Sequence, residues 1–512
     1  MICILAVLTI ALFTSAAVAK NITIKAIKAG AGGSLESVER TEIPYFGGVI
    51  AHYTATLIVG GGLSVPIDPE NGLPIWEEAG SYVDTIRIHR VVKESSPGIP
   101  DPTVAGILCS HGDLGDFNFV YMPSIIVPHK NKGPEDSFGC FLAMNGLDVW
   151  GIDWRWATIP VEEAPVQLRW PRGSNPKAPP FLGLNYMDTD THLDDFELTL
   201  KVARHVRKCT GSGFDKMYVT GWSRGAYMVV ALANRLANIN KQAAKGFPHI
   251  KGIIPVDFPI KTDDPDVQEL SCAQALAYDS IIAGNGGAFP PFNDPNLVPP
   301  FFNPVGLVFS QTAYLAMSEP EGDSQIFPPE FGLSNKNVYD IFIGATWFPM
   351  SLFAGESQKW HFNAVAPITS VELDSLYPFP VPVVSPNTDT LYTDYDYMNQ
   401  LSLFVSPYQS YGEQQDSMVC LCDDPEIGDS PHDDYLDLVD IPVLYVGADG
   451  SFAHYADALL QRLGGDDKEK LIVTGTYPYY DTSGYGHADL YFGEDADEDF
   501  WLPMLQWILD RG

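Results

Sequence analysis

The chain is 512 residues long and 46% hydrophobic, enough to bury a sizeable core and too apolar for an intrinsically disordered protein. Its 30 basic and 65 acidic residues leave a net charge of −35, a surface that repels nucleic acid and anionic lipid headgroups and excludes polyanion binding. The length exceeds one average domain but suits a single large domain carrying an insertion.

Residues 1–19, MICILAVLTIALFTSAAVA, form an apolar run ending in small residues, with Ala17-Val18-Ala19 as an A-x-A cleavage site. The run is short for a membrane anchor and lacks a basic flank, so the expectation is an exported protein beginning at Lys20. No later stretch reaches the ~20 apolar residues needed to span a bilayer. Cys3 leaves with the leader. The remaining Cys109, Cys140, Cys209, Cys272, Cys420 and Cys422 permit up to three disulfides whose pairing the sequence does not reveal.

From residue 20 to about 105 the pattern reads as short strands and turns, with partial alternation in VIAHYTATLIV and YVDTIRIHRVV. TVAGILCSHGDLGDF predicts a buried strand ending in a Gly-rich loop, and GCFLAMNGLDVWGIDWRW a helix end, a glycine break and a second buried strand. In HLDDFELTLKVARHVRKCTG, Asp194 and Asp195 can cap a helix whose apolar face includes Phe196, Leu200, Ala203 and Val206. KMYVTGWSRGAYMVVALANRLANI then reads as strand, sharp turn and helix, and IKGIIPVDF as another buried strand. This rhythm predicts an α/β fold, a mostly parallel central sheet flanked by helices.

The rhythm stops near residue 260 and resumes at DIPVLYVGADG, followed by a helix (SFAHYADALLQRLGG), a strand (EKLIVTGTYPYY) and a C-terminal amphipathic helix with Pro503 in its first turn. The intervening stretch is rich in Pro, Phe, Tyr and Asn and too long for a connecting loop. The expected organisation is a leader at 1–19, core at 20–260, an insertion at 261–434, and core again at 435–512.

GWSRG, residues 221–225, places Ser223 between glycines where a strand turns into a helix, a position that exposes a hydroxyl and sets a helix N-terminus behind it. A serine needs a base to become nucleophilic, and His487 in SGYGHADLYFG is the candidate, in a loop between the last strand and the last helix. Asp449, at the end of the strand in YVGADG, is the expected orienting acid, with Asp257 in PVDF as the alternative because such a triad is defined by geometry and not position. Asp481 and Asp489 read as loop and helix-cap residues, and His111 as a residue that orders its own loop.

The chain order Ser223, Asp449, His487, each after a strand, resembles the α/β-hydrolase superfamily. CSHGDLGDF resembles that family's His-Gly oxyanion loop, DVWGIDWRW the strand before its first long connection, and GHADLYFG the histidine loop of lipase- and esterase-like members. The resemblance covers roughly 80–260 and 435–512, and it implies that the 261–434 insertion is a cap or lid. It implies oxyanion donors in the backbone N–H groups of Arg224 and Asp113, with Leu114 as fallback because an acid at 113 must turn away from the oxyanion or be neutralised. It also implies a secreted hydrolase of carboxylic esters, small or lipid-like, that needs no metal or organic cofactor. A peptidase acting on chain ends and a non-catalytic binding module are the rival readings. Two further features stay open. The acidic run CDDPEIGDSPHDDYLD (422–437) lacks EF-hand spacing and reads as a solvated loop rather than a Ca²⁺ site. Phe301, Phe302, Trp347, Phe348, Tyr377 and Phe379 suit an acyl pocket or the insertion's own core equally well.

Overall fold

The computed structural model describes residues 21–45, 47–59, 85–113, 115–129, 132–158, 188–212, 216–243, 247, 249–284, 305–324, 332–344, 395–405, 410–449, 451–474 and 485–512. The leader with Lys20, Leu114, Asp481 and all six aromatic pocket candidates lie outside these residues.

The strands, in chain order, are β1 (Leu35–Tyr45), β2 (Gly48–Ile58), β3 (Thr85–Ser96), β4 (Ile99–Pro100), β5 (Ala105–Ser110), β6 (Leu147–Asp153), β7 (Met217–Trp222), β8 (Ile250–Val256), β9 (Val443–Ala448) and β10 (Lys468–Val473). They build one sheet in the order β1-β2-β3-β6-β5-β7-β8-β9-β10, with β4 paired to β3. The three pairings from β1 to β6 are antiparallel, and every pairing from β6 to β10 is parallel. Parallel strands need helical crossovers, and these cover both faces. The strands therefore read as continuous apolar runs whose successive side chains enter opposite cores. In β7, Met217 and Val219 join one core, while Tyr218 and Trp222 join the other.

The helices that matter for the site are α1 (Ile22–Ala31), α2 (Phe117–Tyr121), α3 (Phe138–Met144), α4 (Thr189–Thr210), α5 (Arg224–Ala243), α6 (Pro265–Gly284), α7 (Tyr411–Cys422), α8 (Ala456–Arg462) and α9 (Leu502–Asp510). Residues of α1, α4, α5, α6, α7 and α8 enter the first core, and those of α2, α3 and α9 the second. This is the expected mostly parallel sheet between helical layers, and the strand-turn-helix at its centre gives it the α/β-hydrolase architecture.

Two local expectations are corrected. The segment after residue 20 opens with a helix, α1, not a strand: Asn21 accepts the Ile24 N–H at 2.9 Å as its N-cap, and Ala26 and Ile27 are buried. The long helix α4 starts at Thr189, before the two aspartates read as its cap. Asp188 holds the Thr191 N–H at 2.8 Å, while Asp195 is buried in a two-pronged pair with Arg155 at 2.7 and 2.9 Å. The anticipated apolar face of α4, Phe196, Leu200, Ala203 and Val206, is buried.

The 261–434 segment contributes α6 and α7, joined by a disulfide between Cys272 and Cys422. Cys109, Cys140 and Cys420 are buried thiols and Cys209 is an exposed one.

Candidate active site

The carboxyl ends of β5, β7, β8 and β9 lie side by side, and Asp113, Ser223, Asp257 and Asp449 follow them in turn, where ligand sites of open parallel sheets form. Ser223 stands between β7 and α5 with φ of 56°, a left-handed conformation that non-glycine residues seldom adopt. It is held there by its N–H to Val256 O at 2.9 Å and by its carbonyl, which accepts Ala226 N–H at 2.7 Å. Gly225 makes the turn possible, since a Cβ on it would come within 2.1 Å of the Ser110 carbonyl oxygen. Strain of this kind, of order 1–3 kcal/mol, persists where surrounding structure enforces it, and such places cluster at functional sites. Ser223 is buried, with 6% of its surface exposed.

His487 reaches this turn from the loop before Asp489–Phe492. Its ring stacks on Trp222, the residue before Ser223, with centroids 4.8 Å apart, and its carbonyl accepts the Trp222 indole N–H at 3.0 Å. Phe452 meets the ring edge-on at 5.3 Å. The loop is fixed by Asp489, a buried residue that accepts the Gly486 N–H at 2.7 Å.

The carboxylate on the imidazole is Asp257. His487 Nδ1 lies 2.7 Å from Asp257 Oδ2, and the other oxygen, Oδ1, accepts the N–H groups of Ala448 at 2.9 Å and Phe452 at 3.1 Å. With a carboxylate accepting, Nδ1 carries the proton and Nε2 is left as the basic nitrogen. Asp257 is fully buried and, like Ser223, has a positive φ, 51°. Asp449, expected as the orienting acid, instead accepts the Tyr485 N–H at 2.7 Å and anchors the start of the histidine loop. The reason is geometric. β8 and β9 are adjacent and parallel, so both aspartates follow neighbouring strand ends, and only the turn after Val256 aims its carboxylate at the ring.

The loop after β5 closes over the serine. A Cβ on Gly112 would fall 2.6 Å from Ser223 Cβ and 2.9 Å from the Trp222 carbonyl oxygen, so only glycine lets this backbone approach. His111 orders the loop as expected: Nδ1 donates to Gly112 O at 2.8 Å, Nε2 accepts the Trp154 N–H at 3.4 Å, and burial lowers its pKa. The Asp113 side chain is turned onto polar partners: Oδ2 accepts Gln414 Nε2–H at 2.8 Å and lies 3.5 Å from Arg224 Nε. Burial raises the Asp113 pKa, and Arg224 and Gln414 oppose that rise.

Elsewhere, the acidic run at 422–437 is drawn into structural contacts. Cys422 is in the disulfide, and Asp423 and Asp433 both pair with the buried Lys261. Among the described residues no three His, Cys, Asp or Glu side chains are grouped as a metal site, and no described helix is long and apolar enough to cross a membrane. Sequence reasoning missed Trp222 and Gln414. The first had a signal, an aromatic inside the glycine-serine turn; the second sits about 190 residues from the serine in a region without periodicity.

No protein-family model matches the chain, and no curated protein matches it in sequence. Solved structures similar to it include a protein of Sulfolobus solfataricus provisionally named a lipase (15% identity, 93% of this chain and 99% of that one, TM-score 0.46). Others are the rice cell wall degrading esterase LipA from Xanthomonas oryzae (10% identity, 93% and 97%, TM-score 0.37) and the proline iminopeptidase of Mycobacterium smegmatis (11% identity, 92% and 98%, TM-score 0.33).

Proposed function

We propose that the protein is a serine hydrolase of carboxylic esters. Ser223 Oγ attacks the acyl carbon while His487 Nε2 takes its proton, and Asp257 holds the imidazole tautomer and stabilises the imidazolium. The backbone N–H groups of Arg224 and Asp113 receive the oxyanion. His487 then protonates the leaving alcohol, and water, deprotonated by the same nitrogen, releases the acid from the acyl-enzyme and restores Ser223. The observation that carries this reading is the conjunction of a serine at φ 56° with a His487–Asp257 pair at 2.7 Å, the histidine stacked against the residue before that serine.

Two further parts belong to the same proposal. Export through the 1–19 leader is supported by the Cys272–Cys422 disulfide, a bond that persists in oxidising compartments. An ester with a sizeable apolar part is supported by the aromatic composition of 261–434.

The test is mass spectrometry of the purified protein after a fluorophosphonate probe, beside Ser223→Ala and His487→Ala, with turnover measured on matched ester and amide substrates. A single adduct on Ser223, absent in the first variant and strongly reduced in the second, with esters cleaved faster than amides, is the expected result. A folded protein that takes no probe and turns over neither substrate overturns the proposal, and preference for the amide replaces it with the peptidase reading.

A further inference from the structure

An aspartate beside an oxyanion is chemically awkward: its charge opposes the charge that must develop on the substrate. Here the residue after His111-Gly112 is Asp113, and Gly112 packs directly on Ser223. The side chains that receive the Asp113 carboxylate come from two places. Arg224 follows the serine, and Gln414 belongs to α7, in the segment outside the repeating core.

Arg224 is only 1% exposed. Its Nε lies 3.5 Å from Asp113 Oδ2 and 4.0 Å from Glu413 Oε1, its terminal nitrogens donate to Ser417 Oγ and Gln414 Oε1, and its guanidinium lies 4.9 Å from the centre of the Phe258 ring. Gln414 is thus used at both ends: the carbonyl takes Arg224 and the amide nitrogen gives to Asp113 at 2.8 Å. Glu413 pairs with the buried His192, and its N–H is capped by Ser410 Oγ at 3.2 Å. The far end of α7 is tied down by the Cys422–Cys272 disulfide and by Lys261 Nζ, which donates to Cys420 O at 2.8 Å.

From this arrangement we infer that Gln414 and the Arg224 guanidinium are positioning residues for the oxyanion hole, holding the Asp113 carboxylate away from the oxyanion and balancing its charge. The inference rests on the serine-hydrolase reading above. It gives α7 a role in the chemical step: without α7, the loop that carries the Asp113 N–H keeps its acid but loses one of the two groups that restrain it.

The experiment measures kcat and KM on an activated ester for Arg224→Met and Gln414→Leu, and for each combined with Asp113→Asn, beside Asp113→Asn alone. Fluorophosphonate labelling of Ser223 and thermal melting accompany each protein. Each single variant is expected to lose about 10- to 100-fold in kcat, less than the ~10²–10³ typical of deleting a whole oxyanion donor, with little change in KM. Adding Asp113→Asn removes the unbalanced charge and is expected to return most of the loss, bringing each double variant near Asp113→Asn itself. Rescue by a neutral isostere is a result that loss of packing does not produce. Equal kcat in single and double variants, or no loss in the singles, overturns the inference. If Arg224→Met does not fold, the Gln414→Leu pair decides. Failure of the wild-type protein to label at Ser223 removes the underlying reading, whereas normal labelling and turnover without rescue removes this inference alone.

Discussion

Asp257→Asn against Asp449→Asn separates the two acids by a physical argument about tautomers. In the wild-type site Asp257 Oδ2 takes His487 Nδ1–H at 2.7 Å, and Oδ1 faces two backbone donors, Ala448 N–H and Phe452 N–H. An asparagine can orient its amide in only two ways. If the oxygen faces the imidazole, the NH₂ group is pressed against two buried N–H donors, each losing its acceptor at about 1–3 kcal/mol. The favoured orientation therefore keeps the oxygen on the backbone and points NH₂ at Nδ1. That forces the proton to Nε2, the nitrogen that accepts from Ser223 in the proposed mechanism. The same substitution in a serine triad lowers kcat about 10⁴-fold, a barrier increase of about 5 kcal/mol, and a loss of about 10³- to 10⁴-fold is expected here. Asp449→Asn keeps an oxygen for the Tyr485 N–H and leaves the imidazole's partner untouched, so a loss below about 10-fold is expected. The assay is steady-state hydrolysis of a p-nitrophenyl ester, with thermal melting to show that both variants fold. A crippled Asp449→Asn beside a near-normal Asp257→Asn refutes the tautomer argument and returns the acid to Asp449.

Gly225→Ala places a methyl carbon 2.1 Å from Ser110 O and 2.8 Å from His111 O, both backbone atoms that cannot swing aside, so unfolding free energy is expected to fall by at least about 3 kcal/mol in a urea titration. A buried cluster contributes to the pH dependence of stability: His52 Nε2 lies 3.0 Å from His89 Nδ1, and His89 Nε2 lies 3.0 Å from Asp153 Oδ2. Burial, followed by the neighbouring His89, lowers the His52 pKa to about 3, so between about pH 6.5 and 3 the unfolded chain binds a proton that the folded one refuses, and stability falls with pH. Burial raises Asp116 to about 6 with help from Asp153, which works in the opposite direction between about pH 6 and 4 and leaves the His52 contribution to be isolated by difference. Relative to His52→Gln, the wild-type protein is expected to lose about 3 kcal/mol more between pH 7 and pH 4.5, and parallel pH profiles would count against a neutral buried His52. Cys272→Ser opens a cross-link spanning 150 residues; the chain-entropy estimate is about 5 kcal/mol, and a measurable drop in Tm that dithiothreitol reproduces in the wild-type protein is expected.

Much of the fold was legible because parallel strands buried on both faces leave unbroken apolar runs, as at IKGIIPVDF and DIPVLYVGADG, and because amphipathic helices such as α4 show their stripe. The helix at Ile22–Ala31 was not, since its β-branched residues carry strand propensity and its stability comes from packing its buried face into the core. The sequence does not mark the cap of α4, because acids before an apolar stripe look alike whether they hold a helix N-terminus, like Asp188, or pair with a buried arginine, like Asp195. Within the candidate site, the glycine-serine turn was readable because a tight strand-to-helix turn demands a local signal, small residues on either side of the serine.

What the amino-acid order determined by itself was the sheet and the candidate side chains that it brings to one edge. Only the tertiary structure decided which acid faces the imidazole and what restrains the acid beside the serine. Both choices depend on directions and distances between segments far apart in the chain: Asp257 and His487 are 230 residues apart, and Asp113 and Gln414 are 301 apart. Pairings that long leave no periodicity for a sequence to display, because they are set by the positions of packed strand ends and one docked helix.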